Sequence, residues 1–258
     1  MRSLIDYKYF LNESNPIPLY YQLELIIENY IKVHDLQEGD IFFSEQEISE
    51  KLDVSRPTVN KAIRNLIKKD YLKRKRGRKS VISRPKNISL VFMEELLSFG
   101  EMIKSQGYNY NYRTELIERK IVKPNHKVKD SLNLERDDDT IFLKRLRYIG
   151  EEPIIIVDSY FSLNKYGKLL EISPLEFEKD LYFILQKFFD LEVYKSDRVV
   201  TAGRLTLEDA SLLNIEIWDP CLKLSAVAFS KDMEPIEYFD SVFKGETCQL
   251  KTSLIRKK

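Results

Sequence analysis

The chain has 258 residues, 43% hydrophobic and 32% charged, with a formal net charge of +1. This composition excludes a disordered or collagen-like chain, and the length suits one large domain or two ordinary ones. Two cysteines, Cys221 and Cys248, are too few for a disulfide scaffold, no apolar run approaches the roughly 18 residues that span a bilayer, and the start has no secretory core, so a reduced, cytoplasmic protein without membrane contact is expected.

Residues 1–15 are mixed in character and expected to be partly mobile. After Asn15-Pro16-Ile17-Pro18, the helical period of Leu19, Leu23, Ile26, Ile27, Tyr30 and Ile31 predicts a helix that ends near Glu38-Gly39-Asp40. Ser44-Glu45-Gln46-Glu47 is a capping box that starts a second helix, with Ile48 and Leu52 inward. Ser55 caps a third helix, with Pro57 in its first turn and Val59, Ala62, Ile63, Leu66 and Ile67 as its apolar stripe. Residues 71–75 and 79–83, joined by Arg76-Gly77-Arg78, read as a hairpin. Beyond it, residues 92–106 read as an amphipathic helix. Strands are expected at 112–122, 139–149, 152–163, 191–203, 220–230, 235–246 and 249–255, with helical stretches near 125–133, 174–188 and 206–213. The fold class is α+β, with a mainly antiparallel sheet in the second half.

Charge is not spread evenly. Residues 54–86 hold 13 Lys/Arg against one acid, Asp70, and the rest of the chain is acidic. A basic block on an otherwise acidic molecule points to a polyanionic partner. Two short helices and a basic hairpin make a winged helix-turn-helix. Ser55, Arg56, Thr58, Asn60 and Lys61 line the start of the helix that would enter the major groove. Arg pairs with guanine and Asn with adenine, each worth roughly 1–3 kcal/mol of discrimination. Arg74, Lys75, Arg76, Arg78 and Lys79 charge the wing, and Gly77 lets its turn approach the duplex closely. Ser44 serves mainly as a cap, with a phosphate contact added; Glu45 is either a first-turn dipole partner or a base contact.

Pro18-Leu19-Tyr20-Tyr21-Gln22-Leu23, Gly39-Asp40, Ser44-Glu45-Gln46-Glu47-Ile48 and Val54-Ser55-Arg56-Pro57-Thr58-Val59-Asn60-Lys61-Ala62 resemble the GntR family of bacterial regulators. The resemblance implies homodimers on palindromic double-stranded operators. It also implies DNA contacts from Glu45, Ser55, Arg56, Thr58 and the wing around Gly77. The chain departs from the family where Asn60 stands for a common Arg and Lys79 for a common Gly.

Leu143-Lys144-Arg145-Leu146-Arg147-Tyr148 with Gly150-Glu151-Glu152-Pro153, then Asp180-Leu181-Tyr182, then Met233-Glu234-Pro235-Ile236-Glu237-Tyr238, resemble the UTRA effector-binding domain of the HutC branch. The resemblance implies a chorismate-lyase-like fold that binds a sugar, sugar phosphate or other small metabolite instead of catalysing. The organisation is therefore 1–83 winged helix-turn-helix, 84–91 linker and 92–258 UTRA domain, which binds effector and dimerises. Arg145 and Arg147 alternate on a strand and share a face, which calls for a ligand anion or a pair of structural salt bridges. Tyr182 reads as a core residue that also lines the pocket. Glu237 holds ligand hydroxyls or an amine, or is an exposed strand acid. In relatives that bind sugar phosphates a Ser is common at position 180 and a Ser or Thr follows Phe99. Here Asp180 and Gly100 stand there, and Phe243 replaces a common Tyr. The pocket is thus expected not to hold phosphate in the usual way, and a neutral sugar, a carboxylate or an amine-bearing metabolite suits it better.

No catalytic, cofactor or metal site is expected. His34 and His126 are isolated, and C-x-x-C, Gly-rich phosphate-loop and G-x-S-x-G patterns do not occur. The competing readings are a chorismate-lyase-like enzyme, against which the basic wing argues, and a DNA binder without an effector. The expected function is a sequence-specific, metabolite-modulated transcriptional regulator. Repression is its expected sense, because occupying a promoter is enough to block it.

Overall fold

The computed structural model describes residues 3–74, 79–83, 88–90, 99–105, 112–245 and 248–250, and the chain divides into two units, Met1–Lys86 and Asn87–Lys258. Arg76, Gly77 and Arg78, most of the expected linker, residues 92–98 and 106 of the expected helix at 92–106, and residues 251–255 of the expected strand at 249–255 lie outside the described residues.

In the first unit a 3-10 helix, Leu4–Phe10, precedes α1 (Leu19–Val33). The sequence suggested mobility here, but Leu4 is fully buried, Tyr7 is 4% exposed, and the Tyr7 ring meets Tyr30 edge-on at 5.8 Å. Gln22 fastens the chain between them: it accepts from the Asn12 amide at 2.8 Å and donates to the carbonyls of Asn12 and Ile17. Two anchors in a single short helix leave no repeating pattern, so periodicity does not reveal them.

The helix α2 (Glu45–Leu52) opens as the sequence suggests. The Glu47 amide donates to Ser44 Oγ at 3.2 Å and the Ser44 amide to Glu47 Oε2 at 2.7 Å. Asp53, left-handed at φ 57°, closes it, and α3 (Arg56–Lys68) follows after a short turn. Leu23, Ile27, Ile48, Leu52, Val59 and Ile63 join the three helices in one core. Each such burial is worth roughly 1.5–3 kcal/mol. Glu24, fully buried, accepts from Asn65 Nδ2 at 2.7 Å and pairs with Lys69 at 3.2 Å, tying α1 to the end of α3. Strands β1 (Leu72–Arg74) and β2 (Ser80–Ile82) pair antiparallel, with Leu72 and Ile82 sealing the core.

The second unit begins with β3 (Ile88–Leu90), within the expected linker, and α4 (Phe99–Ser105). Then come β4 (Tyr112–Val122), α5 (His126–Ser131), β5 (Thr140–Ile149), β6 (Glu152–Ser162) and α6 (Leu163–Tyr166). The expected helix at 174–188 is two pieces, a 3-10 turn at Pro174–Glu178 and α7 (Leu181–Phe189), because Lys179 and Asp180 are extended. The rest is β7 (Lys195–Gly203), α8 (Leu207–Leu213), β8 (Cys221–Phe229), β9 (Pro235–Lys244) and β10 (Cys248–Leu250). The main sheet is antiparallel in the order β4-β5-β6-β9-β8-β7, and β3 and β10 form a separate parallel pair. That pairing joins segments some 160 residues apart, which local pattern does not show. Strand alternation divides the core: Ile155 and Val157 pack with Phe99 and Phe243 on one face, while Ile156 packs with Leu146, Leu205 and Leu213 on the other. Among the described residues no helix is long and apolar enough to cross a membrane.

Candidate functional sites

Two places gather the predicted site residues, one in each unit. In the first, the start of α3 carries them. Ser55 Oγ accepts from the Thr58 amide at 3.4 Å and shares a hydrogen bond with Thr58 Oγ1 at 2.8 Å, so both hydroxyls help form the cap. Arg56 is exposed. Lys61 Nζ lies 3.5 Å from the centre of the Tyr20 ring, a cation–π contact the sequence did not reveal. Asn60 Nδ2 donates to both carboxylate oxygens of Glu45, at 3.2 and 3.1 Å. The amide assigned to adenine by sequence is therefore engaged with α2. Lys79 is exposed, and its charge helps lower the Glu47 pKa, after the hydrogen bonds from Ser44.

In the second unit a cavity of about 80 Å³ opens between the sheet, α4 and the start of α7. Phe99, Arg145, Arg147, Asp180, Tyr182, Glu237 and Phe243 all line it. Gly100, the other expected pocket residue, is not among the lining residues and meets the cavity only through its amide on Asp180. Arg145 is 2% exposed and donates through Nη2 to Ser159 Oγ at 2.7 Å and to Glu237 Oε1 at 3.4 Å. Burial pushes the Arg145 guanidinium down and the Glu237 carboxyl up, and the attraction between them opposes both shifts. Glu237 is therefore a buried partner, not an exposed strand acid.

Arg147 follows on the same face, partly exposed, with its guanidinium 4.9 Å from the centre of the Phe99 ring. Desolvation and then the charge of Arg145 pull it down to about 10, so it stays cationic at neutral pH. The Nε atoms of both arginines lack a hydrogen-bond partner among the described residues. Burial, and then the charge of Glu237, push the Tyr182 hydroxyl up to about 12. Arg198 on β7 also lines the cavity. Sequence reasoning missed it, because Lys195-Ser196-Asp197-Arg198-Val199-Val200 has no polar and apolar alternation to mark which face Arg198 takes.

Asp180 sits at the N-cap position of α7, yet its side chain makes no capping bond. Its two oxygens instead accept from the Gly100 amide, each at 3.3 Å. A Cβ at position 100 would collide with Tyr112 Oη and fall 2.6 Å from Asp180 Oδ2. Its negative charge also steadies the Arg147 cation. The cavity thus sets three guanidiniums, from Arg145, Arg147 and Arg198, against two carboxylates, over a floor of Ile155, Val157 and Leu224. Among the described residues no cluster of His, Cys, Asp and Glu could hold a metal.

Comparison with known proteins fits both places. Residues 19–82 match the model of bacterial regulatory proteins of the gntR family, and residues 107–249 match the UTRA domain. The HTH-type transcriptional repressor NagR of Bacillus subtilis is 26% identical over 236 residues, covering 92% of this chain and 94% of NagR. The HTH-type transcriptional regulator GgaR of Escherichia coli is 26% identical over 221 residues, covering 86% and 85%. Among solved structures, PhnF from Mycobacterium smegmatis superposes with a TM-score of 0.61 at 22% identity, over 90% of this chain and 99% of PhnF, a likeness of fold.

Proposed function

We propose that this chain, which belongs to the UTRA-bearing GntR family of bacterial regulatory proteins, is a sequence-specific DNA-binding transcriptional regulator whose operator affinity is set by a small metabolite held in the second unit. The observation that carries this reading is the pairing, in one chain, of an exposed, capped helix start at Ser55–Arg56 with a cavity into which Arg147 brings an unsatisfied Nε. Repression is the sense we adopt, because occupying a promoter blocks it and the NagR relative is named a repressor.

In this reading a homodimer lays two α3 helices in successive major grooves, with half-sites about one helical turn apart. Arg56, Lys61 and the wing residues, Lys79 and Arg76 to Arg78, supply charge to the backbone and base edges. The effector meets Arg147, Tyr182 and the carboxylates of Asp180 and Glu237. Because Asp180 already holds the Gly100 amide, a phosphate dianion would face a carboxylate in place of a donor. A neutral sugar, a monocarboxylate or an amine-bearing metabolite fits this balance of charge better. Phe99 and Gly100 join the pocket to the start of α4, on the side of the chain that leads to the first unit. A ligand that displaces Asp180 thus acts on the segment leading to the DNA-binding head. Ligand and operator affinities are then reciprocally coupled, typically by 1–3 kcal/mol.

The test pairs operator anisotropy with thermal shift across sugars, carboxylates, amines and sugar phosphates. An effector at a hundredfold its Kd stabilises the protein by about 2.7 kcal/mol. Arg147→Ala should abolish that response and keep salt-sensitive DNA binding. Failure of wild-type protein to attach to duplex DNA at any salt concentration overturns the regulator reading. Stabilisation of wild type by a sugar phosphate, lost in Arg147→Ala, overturns the effector class.

A further inference from the structure

The 3-10 helix Leu4–Phe10 lies ahead of residues 19–82, which match the gntR family. Side chains three apart eclipse on such a helix, so it carries three ridges. Leu4 and Tyr7 form the buried ridge that holds it to the helical core. Asp6 and Tyr9 form an exposed ridge, and Asp6 Oδ2 accepts from the Ser3 amide at 2.6 Å. The third ridge, Ile5 and Lys8, leads to the turn between α2 and α3. There Lys8 Nζ lies 2.9 Å from Asp53 Oδ2, 45 positions along the chain.

Asp53 stands immediately before the basic block at 54–86, and two residues before Ser55, the cap of α3. Two residues of chain span at most about 7 Å, so Asp53 stays close to the cap and to the exposed Arg56. The turn is fixed as well: Val54 is buried, and its carbonyl accepts from Ser49 Oγ at 2.7 Å. A phosphate set against the start of α3 would therefore meet the Asp53 carboxylate within about one Debye length, roughly 10 Å. Lys8 and Asp53 are both well exposed, and exposed ion pairs add little to stability. Their charge counts once a polyanion arrives. An ammonium has three donors, so one bond to Asp53 leaves two for another acceptor. We infer that Lys8 extends the DNA interface to the N-terminal 3-10 helix: it offsets the repulsion of Asp53 and adds a cation to the phosphate backbone beside the cap of α3. The inference rests on the DNA-binding reading above, and it concerns attachment to the backbone, not the choice of base.

The test is duplex binding by the full-length protein across a range of salt concentrations, for wild type, Lys8→Ala, Asp53→Asn and the double variant. Each is titrated on duplexes selected by wild type and on random duplexes. Asparagine takes the left-handed backbone of position 53 as readily as aspartate, so the four melting curves should nearly coincide. Lys8→Ala should weaken both DNAs alike, by about threefold at low salt, and flatten the salt slope by about 1. Asp53→Asn should bind at least as tightly as wild type, and in its background the loss of Lys8 should cost less. Lys8→Ala that matches wild type in affinity and slope, or that loses equally in both backgrounds, overturns the inference while leaving the regulator reading intact. A loss confined to selected duplexes overturns it too, because a backbone contact does not distinguish sequences. Absence of any duplex binding by wild type overturns both.

Discussion

The amide of Gly100 donates to both carboxylate oxygens of Asp180, and a side chain on Gly100 would displace that carboxylate. Two residues eighty positions apart are thus mutually selected: an aspartate at 180 suits a glycine at 100, and a hydroxyl-bearing residue at 100 needs something smaller at 180.

Gly100→Ser should cost about 1–3 kcal/mol from overpacking against Asp180 and Tyr112. In an Asp180→Ser background that cost should fall by about 1 kcal/mol, because the nearest carboxylate oxygen is gone. The double variant, with two hydroxyls and no fixed anion, should also gain thermal stabilisation from a hexose phosphate. Chemical denaturation of the four proteins of the cycle measures the coupling; strictly additive costs would show that the two positions do not depend on each other.

Arg145→Ala should destabilise the protein by about 3–5 kcal/mol, since it leaves Glu237 charged and buried without its partner. Replacing both, as in Arg145→Met with Glu237→Leu, should recover most of that loss. The single variant carries a pH signature. Glu237 titrates above its ordinary value in the fold, and higher still without Arg145, so the folded state takes up a proton more readily than the unfolded chain. The penalty of Arg145→Ala should therefore be largest above the folded pKa of Glu237 and shrink as pH falls through it. A penalty independent of pH would refute the buried-pair account.

Arg56→Ala and Lys79→Ala should fail differently. The first should relax sequence preference by removing a base-reading side chain. The second should weaken binding to all sequences alike and flatten the salt slope by about 1, as loss of one phosphate contact does. Titrations on operator and random duplexes at several salt concentrations separate the two; equal losses on both DNAs for both variants would show the roles are misassigned.

Glu47 titrates below its ordinary value because the Ser44 amide, and then the Ser44 hydroxyl, favour its charged form. A lowered carboxylate stabilises the fold above its unfolded pKa of about 4.3 and loses that contribution as pH falls through the folded value. Glu47→Gln should therefore be less stable than wild type at pH 7, with a gap that closes on acidification. Parallel melting curves for the two proteins between pH 7 and pH 3 check this, and a constant gap would rule out the charge as its source.

Much of this molecule is legible along the chain. The caps at Ser44 and Ser55, the apolar stripe of α3 and the alternation that turns Arg145 and Arg147 to one face rest on spacing within a few residues, which capping chemistry and periodicity report. The basic block at 54–86 needed only composition. The first helical turn at Leu4–Phe10 was not legible, because its stability comes from Tyr7 meeting Tyr30 and from Gln22 reaching back to Asn12.

The sequence by itself determined which side chains are charged, where α2 and α3 start, and that two arginines share a strand face. Tertiary structure alone decided the partners: Glu237 for Arg145, Gly100 for Asp180, Glu45 for Asn60, and Arg198 at the same cavity. Strand order brings β9 beside β6, so that Glu237 reaches an arginine 92 residues earlier in the chain. A buried charge takes whatever partner the fold sets within reach, and reach across a sheet is set by strand order, which hydrophobic period does not encode.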